Sequence, residues 1–328
     1  MNKLNVAIIG LGRIASLLED DTRREKPCTH AGAVRANPDC ILMGGMDTNE
    51  KRRRLFAERW NVPVFANAGA MLQELKPDIV TIATEPDSHT EYCQLAAGLG
   101  VSVLVCEKPL SDSLNGAQRI AALLKKNSKI LVNHERRYSN EYIKAQALIA
   151  EKRLGTLLSV HARIYFGQKR RLVNMLWDDA THLVDAIRFL CGAQIKHGMT
   201  WGTALTEKKG TAYLLSTLHK EDDSDVPCCI EVGAERDYLV FEIALSFSEG
   251  RLRIGNGVWE LWESGPCPYA DNFKALAQSA DTFSGKSDYF ANMIADAVLC
   301  ARNPARTPRS SVLDAYAVIE YLTAVKPL

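Results

Sequence analysis

Short, nearly continuous apolar runs alternate with longer segments of helical period through the first part of the chain. The runs at Leu4–Ile9, 41–46, 79–83, 101–106 and 129–132 predict strands. They lack the polar alternation of a half-exposed strand, so both faces are expected to be buried, as in a parallel sheet. Between them, His30–Ala36, Glu50–Trp60 and residues 90–99 and 115–126 carry helical patterns. Within 90–99, Cys93, Leu95, Ala96 and Leu99 form an apolar side, and Glu91, Gln94 and Gly98 form the other. Strand–helix alternation of this kind predicts a doubly wound α/β domain.

The rhythm changes after residue 132. Residues 141–150 predict a helix ending near Gly155, 157–166 alternate as a strand, and 177–190 predict a helix. From 211 to 263 the pattern is mostly strands joined by turns such as Ser248-Glu249-Gly250 and Gly255-Asn256-Gly257. Helices return at 287–302 and 311–325. This predicts an α+β second domain built on an antiparallel sheet. The expected division is 1–132 for a nucleotide-binding domain and 133–328 for a substrate-binding and oligomerisation domain.

Two strand ends carry chemistry. The first strand runs into Gly10-Leu11-Gly12-Arg13-Ile14-Ala15. Glycines there permit a tight turn and let the backbone approach a pyrophosphate at a helix N-terminus. The second acidic signal is Asp47, which ends the next strand and suits the adenosine ribose hydroxyls, favouring NAD over NADP. Asp47 lies 35 residues after Gly12, against the usual ~20. The charged stretch 19–26 accounts for the excess as an inserted loop after the first turn. Arg52 and Arg53 stand close enough in sequence to leave NADP open as a cofactor. The other strand end is Glu107-Lys108-Pro109, after the run 101–106. It delivers an amine to the carboxyl edge of the sheet, where ligands bind in open α/β folds.

Composition narrows the function. Lys+Arg total 40 against Asp+Glu 39, without the positive surplus of a nucleic-acid binder. The nine cysteines are scattered with no CxxC pair, which fits a reducing compartment and gives no metal site. The apolar run before Gly10 is too short for a signal sequence, and no segment approaches the ~20 apolar residues of a membrane helix. A cytoplasmic protein is expected.

In the second domain, Asp178-Asp179-Ala180-Thr181-His182-Leu183-Val184-Asp185 is expected to open a helix. Asp178, His182, Asp185 and Phe189 would share one face, and Leu183, Val184, Ile187 and Leu190 the other. A carboxylate one turn before a histidine can set its tautomer and raise its basicity. Acidic residues are also favoured in a first helical turn by the dipole alone.

Taken together, these pieces resemble the Gfo/Idh/MocA oxidoreductases, the glucose–fructose oxidoreductase and inositol dehydrogenase group, over nearly the whole chain. The matching segments are Gly10 to Ala15, Ala83-Thr84-Glu85-Pro86-Asp87-Ser88-His89, Glu107-Lys108-Pro109-Leu110, Arg137-Tyr138, Arg153-Leu154-Gly155 and Asp178-x-x-x-His182-x-x-Asp185. Asn140, Ala180 and Glu85 depart from the family pattern without removing a catalytic side chain. The resemblance implies a Rossmann domain followed by a large, mostly antiparallel, open-faced sheet. It implies Lys108, Asp178 and His182 as the catalytic set, with a cis Lys108–Pro109 bond. It implies Gly10, Leu11, Gly12, Arg13, Ile14, Asp47, Thr84, Pro86, His89, Glu107 and Lys108 around the cofactor, NAD. Asp185 would support its helix.

The implied reaction is hydride transfer from a secondary carbinol, with substrate against Lys108, Tyr138, Arg163, Arg170 and His182. The cations Arg163, Lys169, Arg170 and Arg171 suit a sugar-linked diphosphate. They point to a nucleotide-activated sugar such as UDP-N-acetylglucosamine, oxidised to its 3-keto form. A free sugar or inositol is the alternative. A non-catalytic dinucleotide sensor would be expected to lack the lysine or the histidine, and both are present. An NAD-dependent glycosidase would release sugar with no net NADH. By family analogy the chain assembles as a homodimer or homotetramer.

Overall fold

The structure, a computed structural model, describes residues 2–126, 128–165 and 170–325. Its first elements are β1 (Leu4–Ile9), α1 (His30–Ala36), β2 (Cys40–Met46), α2 (Glu50–Trp60), β3 (Val64–Phe65), α3 (Ala68–Leu75), β4 (Ile79–Ile82), α4 (Pro86–Gly98), β5 (Val103–Cys106), α5 (Leu114–Ala121) and β6 (Lys129–Val132). The strands form one parallel sheet of order β3-β2-β1-β4-β5-β6. β4 and β5 are buried at every position, as strands covered on both faces must be. The order reverses between β1 and β4, the switch point where such sheets bind ligands. Side-chain caps set several helix starts: Thr29, Asn49, Asn67 and Ser113 accept the N–H of Gly32, Arg52, Ala70 and Gly116, satisfying N–H groups a helix leaves unpaired.

The helix expected directly after the glycine turn is interrupted. Leu17 N–H bonds Gly12 O and Leu18 N–H bonds Arg13 O, closing a single turn. Residues 17–20 make a short 3-10 turn, and residues 21–28 then leave the helical path. The chain returns so that His30 N–H takes Ile14 O at 3.2 Å and Ala31 N–H takes Ala15 O at 2.9 Å. These are the carbonyls that residues 18 and 19 would occupy in an unbroken helix. The expected insertion is therefore real, and it sits between the first turn and α1. Glu19 holds its base, accepting from Thr29 Oγ1 at 2.7 Å and Cys28 N–H at 3.3 Å. Lys26 caps Leu18 O and Asp21 O at 3.1 and 2.8 Å.

The next elements are α6 (Asn140–Ala150), β7 (Leu157–Tyr165), α7 (Leu172–Asp178), α8 (Ala180–Cys191), β8 (Gln194–Gly202), β9 (Thr211–His219), β10 (Asp225–Gly233), β11 (Val240–Phe247), β12 (Gly250–Gly255), β13 (Val258–Pro266) and β14 (Lys274–Gln278). The eight strands form one sheet of order β14-β13-β12-β11-β7-β10-β9-β8. All pairs are antiparallel except β7 with β10, which are parallel. Burial alternates along β9, β10 and β11. One face, with Val160, Ala162, Leu214, Ile230 and Ile243, is buried, and α8 packs against β7, β8 and β11. The expected helix over 177–190 is two helices, because the chain breaks at Asp179 (φ −113°, ψ −42°). β8 was not anticipated, since its Lys196, Gly198 and Gly202 blur the alternation.

The chain closes with α9 (Tyr289–Arg302) and α10 (Val312–Ala324). The molecule divides into two compact units, one of residues 1–140 with 286–319, the other of 141–285 with 320–328. The expected division at residue 132 thus differs from the compact units by a C-terminal segment that returns to the first. Phe290 of α9 meets the His30 ring edge-on at 5.3 Å, and Ser311 bridges to Leu131 at the β6 edge of the sheet. Asp296 of α9 is the polar anchor of this return. It accepts from Tyr138 Oη at 3.2 Å, from Arg306 Nε at 2.9 Å and from Arg309 N–H at 2.9 Å, and is only 4% exposed.

Asp296→Ala strands these donors in a buried site, each worth about 1–3 kcal/mol. It is expected to lower unfolding free energy by about 2–4 kcal/mol, read from urea titration followed by circular dichroism.

Candidate active site

In the first unit the site is built at the carboxyl ends of β1, β2, β4, β5 and β6. Gly10 adopts φ +87°, and a Cβ there would lie 2.7 Å from Ala83 O; only glycine fits that turn. A Cβ on Gly12 would meet nothing nearer than Arg52 Nη1 at 3.9 Å, so the space a pyrophosphate needs beside the glycine is open. The residues fit a dinucleotide. Asp47 is turned toward this turn: Oδ2 accepts Leu11 N–H and Oδ1 accepts Asn49 N–H, both at 2.8 Å. Arg52 lies 3.6 Å from Asp47 and is half-exposed, whereas Arg53 is spent on the carbonyls of Asp47 and Thr48. Arg13 is exposed, and Leu11 is buried.

Thr84, Pro86 and His89 follow β4, as expected, but they do not all face outward. His89 is fully buried, its Nδ1 facing Pro109 O and its Nε2 facing Thr84 O, each at 3.0 Å. It clamps the 107–110 segment to the start of α4 and lines no surface. Thr84 and Pro86 are partly exposed.

Glu107 and Lys108 follow β5. The Lys108–Pro109 peptide is cis. Lys108 is half-buried and Glu107 is 7% exposed. Glu107 Oε1 meets His30 Nε2 at 2.7 Å and accepts Asn133 Nδ2 at 2.7 Å, while Oε2 accepts Lys108 N–H at 3.3 Å. Burial pushes the Glu107 carboxyl up. The His30 bond and charge, the Asn133 amide and the Lys108 amine more than offset this and hold it below the usual carboxylate range.

Tyr138 was expected at the substrate. It is wholly buried, its hydroxyl donating to Asp296 and accepting Ser310 N–H at 3.3 Å. It belongs to the core of the first unit.

The second unit carries Asp178, His182, Arg163 and Arg170. Asp178 ends α7 and His182 lies in the first turn of α8, its N–H bonding Asp179 O at 3.2 Å. They sit on two helices separated by the Asp179 break, not on one continuous face. Arg170 forks across the break, donating to Asp178 Oδ2 at 2.9 Å and to Asp179. Its charge is therefore matched by two carboxylates within the unit. His182 and Phe189 are partly exposed, whereas Asp185 is buried among Leu183, Val184 and Ile187.

Arg163 is not brought together with His182. It alternates with the buried Ala162 and Ile164 on β7 and so points to the sheet face opposite α8, 3.8 Å from both Glu231 and Glu242. Lys169 lies outside the described residues, and Arg171 is exposed. Among the described residues no group of His, Cys, Asp or Glu could hold a metal ion, and no helix is long and apolar enough to cross a membrane. All nine cysteines are free thiols.

Sequence reasoning missed His30 and Asn133. Asn133 is the first polar residue after the apolar run of β6, as Glu107 is after that of β5. His30 carries no local signal, because its partner Glu107 lies 77 residues away.

Residues 4–134 match the model of a family described as "Oxidoreductase family, NAD-binding Rossmann fold". The chain is similar to inositol 2-dehydrogenase 1 of Paenarthrobacter aurescens (strain TC1), 29% identical over 266 residues, covering 77% of this chain and 74% of that protein. It is 24% identical over 202 residues to D-glucoside 3-dehydrogenase of Escherichia coli (strain K12), covering 58% of this chain and 54% of that one. UDP-N-acetylglucosamine 3-dehydrogenase GnnA from Acidithiobacillus ferrooxidans shares the fold, with TM-score 0.77 at 18% identity over 99% of this chain and 98% of that one. The glycine turn, the switch-point sheet and these likenesses define an NAD-binding oxidoreductase. Residues 4–134 are thus similar to the NAD-binding domain of the Gfo/Idh/MocA family.

Because Tyr138 is packed in the core and Arg163 faces away from α8, Tyr138→Phe and Arg163→Ala are expected to leave kcat and KM within about twofold of wild type. Steady-state kinetics on the accepted substrate checks this.

Proposed function

We propose that the chain is an NAD-dependent dehydrogenase that oxidises a secondary alcohol of a sugar or cyclitol. The observation that carries this reading is Lys108. It is a half-buried lysine at the carboxyl end of β5, directly after a buried carboxylate and one strand beyond the switch point. Nicotinamide, when bound, supplies the hydride acceptor. Lys108 binds the carbinol oxygen and stabilises the negative charge that develops there. His182 takes the hydroxyl proton as general base. Asp178, paired with Arg170, orients it.

The substrate is read as an uncharged polyol. Arg163, Lys169, Arg170 and Arg171 are the cations that would receive a diphosphate. Arg170 is matched by Asp178 and Asp179, and Arg163 by Glu231 and Glu242 on the other sheet face. Likeness to an inositol dehydrogenase over three quarters of the chain favours the same class. Thermal-shift screening with NAD plus inositol, free hexoses or UDP-sugars separates the readings. Stabilisation by UDP-sugars alone would restore the nucleotide sugar.

For the cofactor, buried Asp47 favours NAD, while Arg52, 3.6 Å from Asp47, is the cation a 2′-phosphate would be expected to meet. A second copy of the chain is the proposed partner. It would pack on the outward face of the β8–β9 end of the sheet, where Trp201 is 62% and Met199 53% exposed.

His182→Asn and Lys108→Ala are each expected to lower kcat by roughly 10²–10⁴-fold with little change in NAD affinity. Wild-type turnover in either variant would remove that residue from the mechanism. Arg52→Ala is expected to lower the NADP-to-NAD ratio of kcat/KM about tenfold, the worth of one charge-assisted bond. An unchanged ratio would mean that Arg52 does not reach the 2′ position.

A further inference from the structure

Glu107 is a carboxylate held almost out of water, one residue before Lys108. Its two oxygens are met from three directions: His30 at the start of α1, Asn133 beyond the end of β6, and the Lys108 peptide N–H. A hydrophobic residue of similar volume would stabilise such a position as well or better, so stability alone does not account for a charge there. The fold also goes to some length to bring His30 to it. The insertion leaves the helix after one turn, and the chain re-enters with His30 as the first residue of α1, hydrogen-bonded to Ile14 O.

The His30 ring is fully buried and braced edge-on by Phe290. Among the described residues its Nδ1 has no hydrogen-bond partner, and neither has Asn133 Oδ1. His30 therefore spends its hydrogen bonding on one acceptor, Glu107. The contact at 2.7 Å is as short as the Asn133 bond to the same oxygen. Glu107 in turn is bonded to the Lys108 backbone. A shift of the carboxylate would move both the lysine's peptide and the negative charge beside its amine. Displacements of about 1 Å at a reacting group can cost ~10²-fold in rate.

We propose that His30 is a positioning residue for Lys108, acting through Glu107. His30 fixes the orientation of the buried carboxylate, and the carboxylate fixes the backbone from which Lys108 extends. This rests on the reading that Lys108 contacts the reacting oxygen.

The test is a double-mutant cycle in the full-length protein. His30→Leu should lower kcat about tenfold or more, the range seen when a partner supporting a catalytic group is removed, with the Kd for NAD by calorimetry unchanged within about threefold. His30→Gln, whose side-chain amide can donate to Glu107 in place of the ring, should recover most of that loss. With Lys108→Ala already present, His30→Leu should add less than about twofold, because the group it positions is gone. Wild-type kcat in His30→Leu overturns the proposal. So does a His30→Leu penalty carried undiminished into the Lys108→Ala background, which leaves the role of Lys108 standing but places His30 elsewhere. Full activity of Lys108→Ala alone overturns the reading of Lys108 and this inference with it. If His30→Leu does not fold, His30→Gln decides: kcat close to wild type supports the proposal, and a loss as large as that of Lys108→Ala refutes it.

Discussion

A negative charge kept out of water has to be met by donors on every side, and Glu107 sets that requirement for the first unit. His30, Asn133 and the Lys108 peptide supply the donors. Each comes from a different part of the chain, so the end of β5, the end of β6 and the start of α1 are held in register by a single carboxylate. Removing any one of them would leave charge or donors buried without a partner, which costs more than an absent contact on the surface. The insertion after the glycine turn makes sense within this constraint. It can leave the helix and loop outward only because Glu19, Thr29 and Lys26 close its base. α1 then resumes with His30 against the carboxylate.

The second unit solves a related problem differently. Asp178 and Asp179 are adjacent acids at a helix break, and Arg170 spans both. The guanidinium fork suits two carboxylates held side by side. It leaves His182 at the partly exposed first turn of α8, on a helix whose Leu183, Val184, Asp185, Ala186 and Ile187 are buried. The same pairing removes Arg170 from the set of cations that could receive a substrate phosphate. Arg163, directed to the opposite face of the sheet, is likewise matched by Glu231 and Glu242.

Much of the architecture was legible in the amino-acid order. Strands buried on both faces have no polar alternation, so β1, β2, β4, β5 and β6 announce themselves, and Gly10 marks a turn that excludes any Cβ. The insertion was visible as a charged stretch and an over-long spacing from Gly12 to Asp47. The exposed second sheet was harder. β8 carries glycines and charges that mask its period, and the single parallel pair, β7 with β10, depends on a register no local pattern encodes. The break at Asp179 was hidden because residues 172–190 keep a helical period across it. Asp178 to His182 has the same spacing whether or not the helix is continuous.

For the site, the types of side chain and their places at strand ends came from the sequence alone: a glycine turn, an acid after β2, a lysine after β5. What each polar group does was decided by tertiary structure. Tyr138 looks like a ligand contact in sequence and is a core residue, because Asp296, 158 positions later, takes its hydroxyl. His89 was expected beside the cofactor and is a clamp between two carbonyls. His30 was silent in sequence and is placed against Glu107. The physical reason is the same in each case. Periodicity records which face of an element is apolar, a property of near neighbours. The partner of a buried polar group is chosen by packing between segments far apart in the chain, and nothing in the local pattern carries that choice.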